Sequence, residues 1–285
     1  METSSPEISD VKSVFLQCGT CAQTFGHLLN REFGNSNAAS EQALDPLAGG
    51  VANYGYQCGM LWGSALAIGR EAYRRYPNEK DALLAAVSAT QHVVESFMQR
   101  TKTLNCKAII GHNLRSVFGL AIYMAKTMRK GIKNSQCFNL AEDWAPQAMK
   151  AAVIGLDQEG AGLAYTPTSC ASEVVKKMGG SDEEALSVAG FAGGLGLSGE
   201  ACGALGAALW FRTLTWCREH PGEKAPMFNP PIPKKLIKVF LRETNSCMTC
   251  KEITACQFQS LEEHTAHVAT GGCQKLLELL ASTEI

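Results

Sequence analysis

The sequence predicts an all-α fold made of two tandem homologous helical-bundle repeats packed as an internal pseudo-dimer. The first observation behind this is a cysteine pattern that occurs twice: Cys21, Cys58, Cys106 and Cys137 find counterparts in Cys170, Cys202, Cys250 and Cys273. The second is the sequence around them. Gly49-Gly50-Val-Ala-Asn-Tyr-Gly55-Tyr-Gln-Cys58-Gly59 reads against Gly193-Gly194-Leu-Gly-Leu-Ser-Gly199-Glu-Ala-Cys202-Gly203, with the glycine pair, the later glycine and the Cys-Gly at identical offsets. Pro77-Asn-Glu79-Lys80 and Pro221-Gly-Glu223-Lys224 follow the Cys-Gly cysteine at the same distance in both halves, and so do the third cysteines. Self-similarity at a fixed period marks duplication, here of a unit of about 140 residues. The third observation is helical periodicity with neither a hairpin signature nor an alternating β-branched run. The expected repeats are residues 1–147 and 148–285.

Each element follows from a local signal. Thr20-Cys21-Ala22-Gln23 reads as a capping box that opens the first cysteine helix. Gly49 and Gly50 supply a tight turn that brings backbone close to that helix, and a helix starts from Cys58. Residues 81–100 place Leu83, Leu84, Val87, Val94, Phe97 and Met98 at near-helical spacing, the pattern of an amphipathic helix. Asn105 caps a helix from Cys106, Val117–Met128 reads as another amphipathic helix, and Cys137 follows Asn134 by three. In the second copy Ser169 caps a helix from Cys170, and Cys202 follows Gly199 by three. Thr249-Cys250-Lys251-Glu252 is a capping box, Cys273 follows Thr270 by three, and residues 274–280 are helical. Ala148–Leu156 reads as a helix of the second copy. Residues 221–235 hold five prolines and are expected to form an extended surface loop.

Bulk properties exclude several classes. The 285 residues suffice for two domains, and 46% hydrophobic with 19% charged residues is globular. A net charge of −1 and a pI near 6.6 supply no overall basic field for nucleic acid or an anionic membrane. Residues 188–210 are long enough to span a bilayer, but Glu200 and four glycines interrupt them, so no membrane span is expected. The acidic, polar first residues lack the basic start and apolar run of a secretory signal, so a cytoplasmic, reducing setting is expected. Twelve cysteines there suit metal binding or redox work better than a static disulfide framework.

All eight repeated cysteines are expected in the first turn of a helix. Free N–H groups and the helix dipole stabilise a thiolate there. Thiolate is the form that attacks disulfides and binds metals. Cys18-Gly-Thr-Cys21 and Cys247-Met-Thr-Cys250 are CxxC pairs, either dithiol switches or half metal sites. Neither precedes His, which argues against c-type haem attachment. Alignment on Cys106 and Cys250 sets His112 opposite Cys256, an exchange between two metal-binding residue types that adds Cys256 to the candidate ligands. Cys217 reads as a core residue. His27, His92, His220, His264 and His267 read as surface or core, with His264 and His267 on a solvated face.

These residues resemble the redox-active family named for its C…GCAxxG…C…C cysteine signature. Its first cysteine corresponds to Cys21 and Cys170. Its Cys-Gly-Ala-x-x-Gly element corresponds to Cys58-Gly59-Met60-Leu61-Trp62-Gly63 and Cys202-Gly203-Ala204-Leu205-Gly206-Ala207. Its last two cysteines correspond to Cys106 with Cys137 and to Cys250 with Cys273. Met60 replaces the small alanine, and Gly206-Ala207 reverses the small residues at the motif's end. The resemblance implies redox or cluster-binding chemistry and names no substrate.

The first functional reading is therefore an intracellular redox protein whose two sets of four cysteines each hold an iron–sulfur cluster for electron transfer. Zinc is the alternative metal. Thiol–disulfide exchange by Cys18 with Cys21 and Cys247 with Cys250 is the alternative chemistry, and a non-catalytic metal or sulfur carrier the alternative class. A redox partner protein is expected, its identity and any further oligomer left open, with no nucleic acid.

Overall fold

The computed structural model describes residues 8, 10–157, 165–223 and 230–284. Among them are fifteen α-helices and no strand, which bears out the all-α class. The first lobe contains α1 (Val11–Cys18), α2 (Cys21–Glu32), α3 (Ala38–Gln42), α4 (Gly59–Arg75), α5 (Glu79–Thr101), α6 (Cys106–Ile110), α7 (Val117–Lys130) and α8 (Gln136–Leu156). The second contains α9 (Cys170–Lys177), α10 (Asp182–Ser187), α11 (Gly203–Glu219), α12 (Pro231–Glu243), α13 (Cys250–Thr254), α14 (Leu261–Ala269) and α15 (Gln274–Ser282). Short 3₁₀ turns at Asp45–Leu47 and Ala189–Phe191 occupy matching places.

The repeat is visible in the backbone. An isolated bridge joins Gln57 to Asn105, and its copy joins the equivalent residues of the second repeat, Ala201 and Thr249. Cys58 N–H donates to Leu104 O at 2.8 Å, and Cys202 N–H to Met248 O at 2.9 Å. Each strut ties the start of a Cys-Gly helix to the start of the third-cysteine helix. The second and third cysteines of each lobe therefore meet although a long helix separates them along the chain.

Three expectations change. The boundary expected between 147 and 148 falls inside α8, which runs through Pro146 to Leu156. That helix packs on α1 and α5, so Ala148–Leu156 belongs structurally with the first lobe. The extended loop expected over 221–235 ends early, because α12 begins at Pro231. Proline fits a first helical position, where its missing N–H has no intrahelical acceptor anyway; residues 224–229 lie outside the described residues. Third, the amphipathic pattern of α7 does not place it in the core, since none of its residues is buried.

The lobes pack reciprocally. α4 lies against α10 and the Ala189–Phe191 turn, while α11 lies against α3 and the Asp45–Leu47 turn. Because α4 answers α11 and α3 answers α10, this is the self-complementary contact of a two-fold dimer, contained in one chain. Trp62, fully buried, sits on Gly206, its own counterpart in the second repeat. A Cβ on Gly206 would approach the Trp62 ring to 2.3 Å, so this crossing needs glycine. Trp210 Nε1 donates across the interface to Ser40 O at 3.0 Å, and Arg70 pairs with Glu183 at 3.2 Å. No helix among the described residues is long and apolar enough to cross a membrane.

Candidate thiol sites

All eight repeated cysteines lie where a helix starts. Cys21, Cys106, Cys170 and Cys250 are the first residues of α2, α6, α9 and α13. Cys58, Cys202 and Cys273 are the N-caps of α4, α11 and α15, and Cys137 is the second residue of α8. The capping details vary. Thr20, Ser169 and Thr249 accept the expected backbone bonds. Asn105 makes no such cap and instead reaches Glu200 Oε2 at 3.3 Å in the other lobe.

The glycine pairs open a segment of unusual backbone. Residues 49–53 all have φ between 48° and 75°, and residues 193–197 between 54° and 83°. For non-glycine residues such as Val51, Leu195 and Leu197 the left-handed region costs roughly 1–2 kcal/mol each. Burial of these three side chains and the repeated bonds Ala52 N–H to Pro46 O and Gly196 N–H to Gly190 O hold the turn. Strain of this kind is retained where the surroundings over-determine it, often at functional sites. Here the turn carries the Gly49 N–H to Cys21 and the Gly193 N–H to Cys170.

In the first lobe Cys21 and Cys58 sit close enough to shift each other's ionisation in opposite directions. The neighbouring Cys58 is the main reason the Cys21 thiol falls below its ordinary pKa; burial opposes it, and the N–H groups of Gly49, Gly59 and Cys21 add to it. Cys58 moves well above its ordinary value, first through Cys21 and then through burial. Of the two, Cys21 is the one whose thiolate is favoured. Gly59 makes room for it, because a Cβ there would lie 2.7 Å from Cys21 Sγ. Burial pushes the Cys106 thiol up, with the negative charge of Cys21 behind it. Cys137 is pushed up to about 11 by burial and by Cys21, opposed by a 3.4 Å hydrogen bond donated by Tyr123 Oη.

The second lobe keeps the positions and loses the asymmetry. Cys170, Cys202, Cys250, Cys273 and His264 line one enclosed cavity of about 10 Å³. Burial raises Cys170 despite backbone donors from Gly193, Ala171 and Ala204, raises Cys202 to about 12, and raises Cys250 and Cys273. A helix N-terminus was expected to lower every repeated cysteine. It does so for Cys21 alone, because desolvation of a buried thiolate outweighs a few N–H donors unless a second thiol stands close by.

Of the CxxC residues, Cys18 is half-buried at the C-terminal end of α1, three residues before Cys21, and the cysteine that most affects the ionisation of Cys21 is Cys58. Cys247 is half-buried and lines an open groove of about 310 Å³ together with Cys273. The charges acting on Cys250 are those of Cys170, Cys202 and Cys273. Cys256 is exposed just after α13, and the side chain of His112 meets Lys126 Nζ at 2.9 Å. Cys217 is buried, as expected of a core residue.

Thiolates are fitting donors for zinc or an iron–sulfur cluster, but their placement here is not that of a ready cage. Among the described residues no three of His, Cys, Asp and Glu are grouped to hold one metal ion. The cavity beside the second set has room for one water, less than a cluster of iron and sulfide requires.

The sequence reading missed two residues. Tyr123 touches Cys137, and His267 Nε2 lies 3.6 Å from Cys273 Sγ. They occupy equivalent positions in the two repeats, so the repeat itself carried that signal. His264 is also 1% exposed rather than solvated, with Nδ1–H donating to Thr168 O at 3.2 Å. Burial lowers its pKa from 6.5 to about 4. The unfolded chain thus binds one proton more between those values, and stability falls as pH drops from about 6.5 to 4, by about 3 kcal/mol in all. Thermal melts across that range should show this loss, and His264→Phe should flatten it.

A duplicated four-cysteine α-bundle whose eight repeated cysteines are free, buried or half-buried and set at helix starts is the class that fold and sites define. The chain belongs to the family described as putative redox-active protein (C_GCAxxG_C_C), which matches residues 19–151 and again 167–283. No curated protein and no solved structure matches the chain.

Proposed function

We propose that the first lobe carries a thiol–disulfide couple with Cys21 as the attacking thiolate and Cys58 as the resolving thiol. The observation that supports it is the juxtaposition of these two cysteines at two helix N-termini, with Cys21 Sγ lying against Gly59, the residue after Cys58. Cys21 is the more exposed residue of the pair. Its thiolate attacks one sulfur of a substrate disulfide, forming a mixed disulfide and expelling a thiolate. That leaving thiolate takes the proton of Cys58. The Cys58 thiolate then attacks Cys21 Sγ, closing the Cys21–Cys58 disulfide and expelling the second substrate sulfur as a thiolate, which is protonated by solvent. Two electrons pass from the protein dithiol to the substrate disulfide, and the reverse sequence oxidises a substrate dithiol. Buried Cys106 and half-buried Cys137 stand by as a reserve pair whose raised pKa values keep them protonated.

The test is a redox titration of oxygen-free protein against reduced and oxidised dithiothreitol, with peptide mapping and parallel assays of iron, zinc and acid-labile sulfide. A Cys21–Cys58-linked peptide rising with a two-electron midpoint is expected. Stoichiometric iron with sulfide would replace this reading by cluster electron transfer, and zinc alone by a structural or carrier site.

A further inference from the structure

α7 turns an apolar side outward. Val117, Phe118 and Met128 are 88%, 78% and 74% exposed, and Leu120, Met124 and Ile132 extend the patch. Val117, Ala121, Met124 and Met128 fall on one stripe at helical spacing. A contiguous apolar patch rimmed by polar groups marks an interaction site, whereas scattered apolar residues mean nothing. The chain around it is basic: Lys126, Arg129 and Lys130 lie on α7 itself, while Arg100 is already paired with Asp143. Residues 96–141 hold eight Lys or Arg and no Asp or Glu, so the rest of the chain sets eighteen cations against 27 carboxylates.

The second repeat serves as an internal control. At the position of Val117 it has Leu261, 7% exposed, and at Phe118 and Gly119 it has Glu262 and Glu263. Both helices stand over their own cysteines, α7 through Tyr123 on Cys137 and α14 through His267 on Cys273. The helices are equivalent, but the position buried in α14 at Leu261 is exposed in α7 at Val117, and the exposed Glu262 stands where α7 has Phe118, so the repeat does not require an apolar outer face.

We propose that α7 is the docking face of the first thiol site for a polypeptide partner that presents apolar side chains among carboxylates. This rests on the thiol–disulfide reading. Position decides the occupant: α7 packs on Cys137 through Tyr123, on the side away from the exposed stripe, so a partner seated on the stripe lies about one helix diameter, ~10 Å, from the sulfurs, a span that a polypeptide segment can cross. A polypeptide brings a disulfide there, and a bilayer brings none. Opposite charge on the partner also speeds encounter, by roughly 10- to 1,000-fold in rate, and the gain is lost on screening.

The experiment uses the full chain and three neutral-leaving-group probes. Two are synthetic peptides whose single cysteine carries a thiopyridyl disulfide flanked by leucines, one peptide rich in Glu and the other in Lys. The third is 2,2′-dithiodipyridine. Attack by Cys21 releases thiopyridone in every case. The Glu peptide should react at least about tenfold faster than the Lys peptide at low salt, with the gap closing near 1 M salt. Arg129→Glu with Lys130→Glu should invert the preference while leaving the dithiodipyridine rate unchanged, and Phe118→Asp should slow the Glu peptide alone. Equal rates for the two peptides would overturn the inference. So would Phe118-dependent flotation with phosphatidylserine vesicles in the absence of any peptide preference, or an α7-dependent dimer that blocks both peptides. Loss of reaction with all three probes would instead sink the thiol–disulfide reading beneath it.

Discussion

Cys21→Ala should lower the rate of reaction with 2,2′-dithiodipyridine in the first lobe by roughly a thousandfold or more, the scale on which losing a nucleophile acts. Without Cys21, burial still raises the Cys58 pKa and shields its sulfur, so Cys58 replaces it poorly. Cys58→Ala should behave differently. Its first attack survives, but the reaction halts at the mixed disulfide, visible as a stable mass adduct on Cys21. The pH profile separates the two roles of Cys58. Only thiolate reacts, and the folded protein lowers the Cys21 pKa, so the wild-type rate should rise through a midpoint below that of the same cysteine in the unfolded chain. Removing the Cys58 thiol should move that midpoint upward. Cys58→Ser keeps a donor and should hold the midpoint low while still failing to resolve. A midpoint indifferent to all three residues at position 58 would show that backbone N–H groups alone set the reactivity of Cys21.

The second large effect is on stability. Trp62→Ala removes a fully buried indole that lies on Gly206 and meets the Phe191 ring edge-on at 4.9 Å. The cavity so created should destabilise the protein by about 3–5 kcal/mol, a fall in Tm of roughly 10 °C for a chain this size. Because α4 and α11 each pack on elements of the other lobe, the wild type should melt in one transition and the variant should keep one. Two transitions, with only one shifted, would show that the lobes fold independently.

The helices and their starts were legible because local rules govern them. Thr20, Ser169 and Thr249 cap where capping chemistry places them, and the fixed offset of the repeat carries the struts into both lobes. What failed was each inference that needed a neighbour from outside the local sequence. The apolar spacing of α7 marks a helix but does not say which way the stripe faces. The CxxC spacing points only to Cys18 as a neighbour of Cys21 and is silent on Cys58, which the start of α4 brings to Cys21 from beyond α3. His264 stands among glutamates in sequence and in the core in space.

By itself, then, the sequence determined the duplication, the all-α class, the family and the setting of eight cysteines at helix N-termini, since each depends on residue type and short-range spacing. Only the tertiary structure decided which thiol has its thiolate favoured. Gly49 and Gly193 present equivalent N–H groups to Cys21 and Cys170, but in a desolvated setting the balance turns on one more group, and the packing of α2 against α4 brings Cys58 to Cys21.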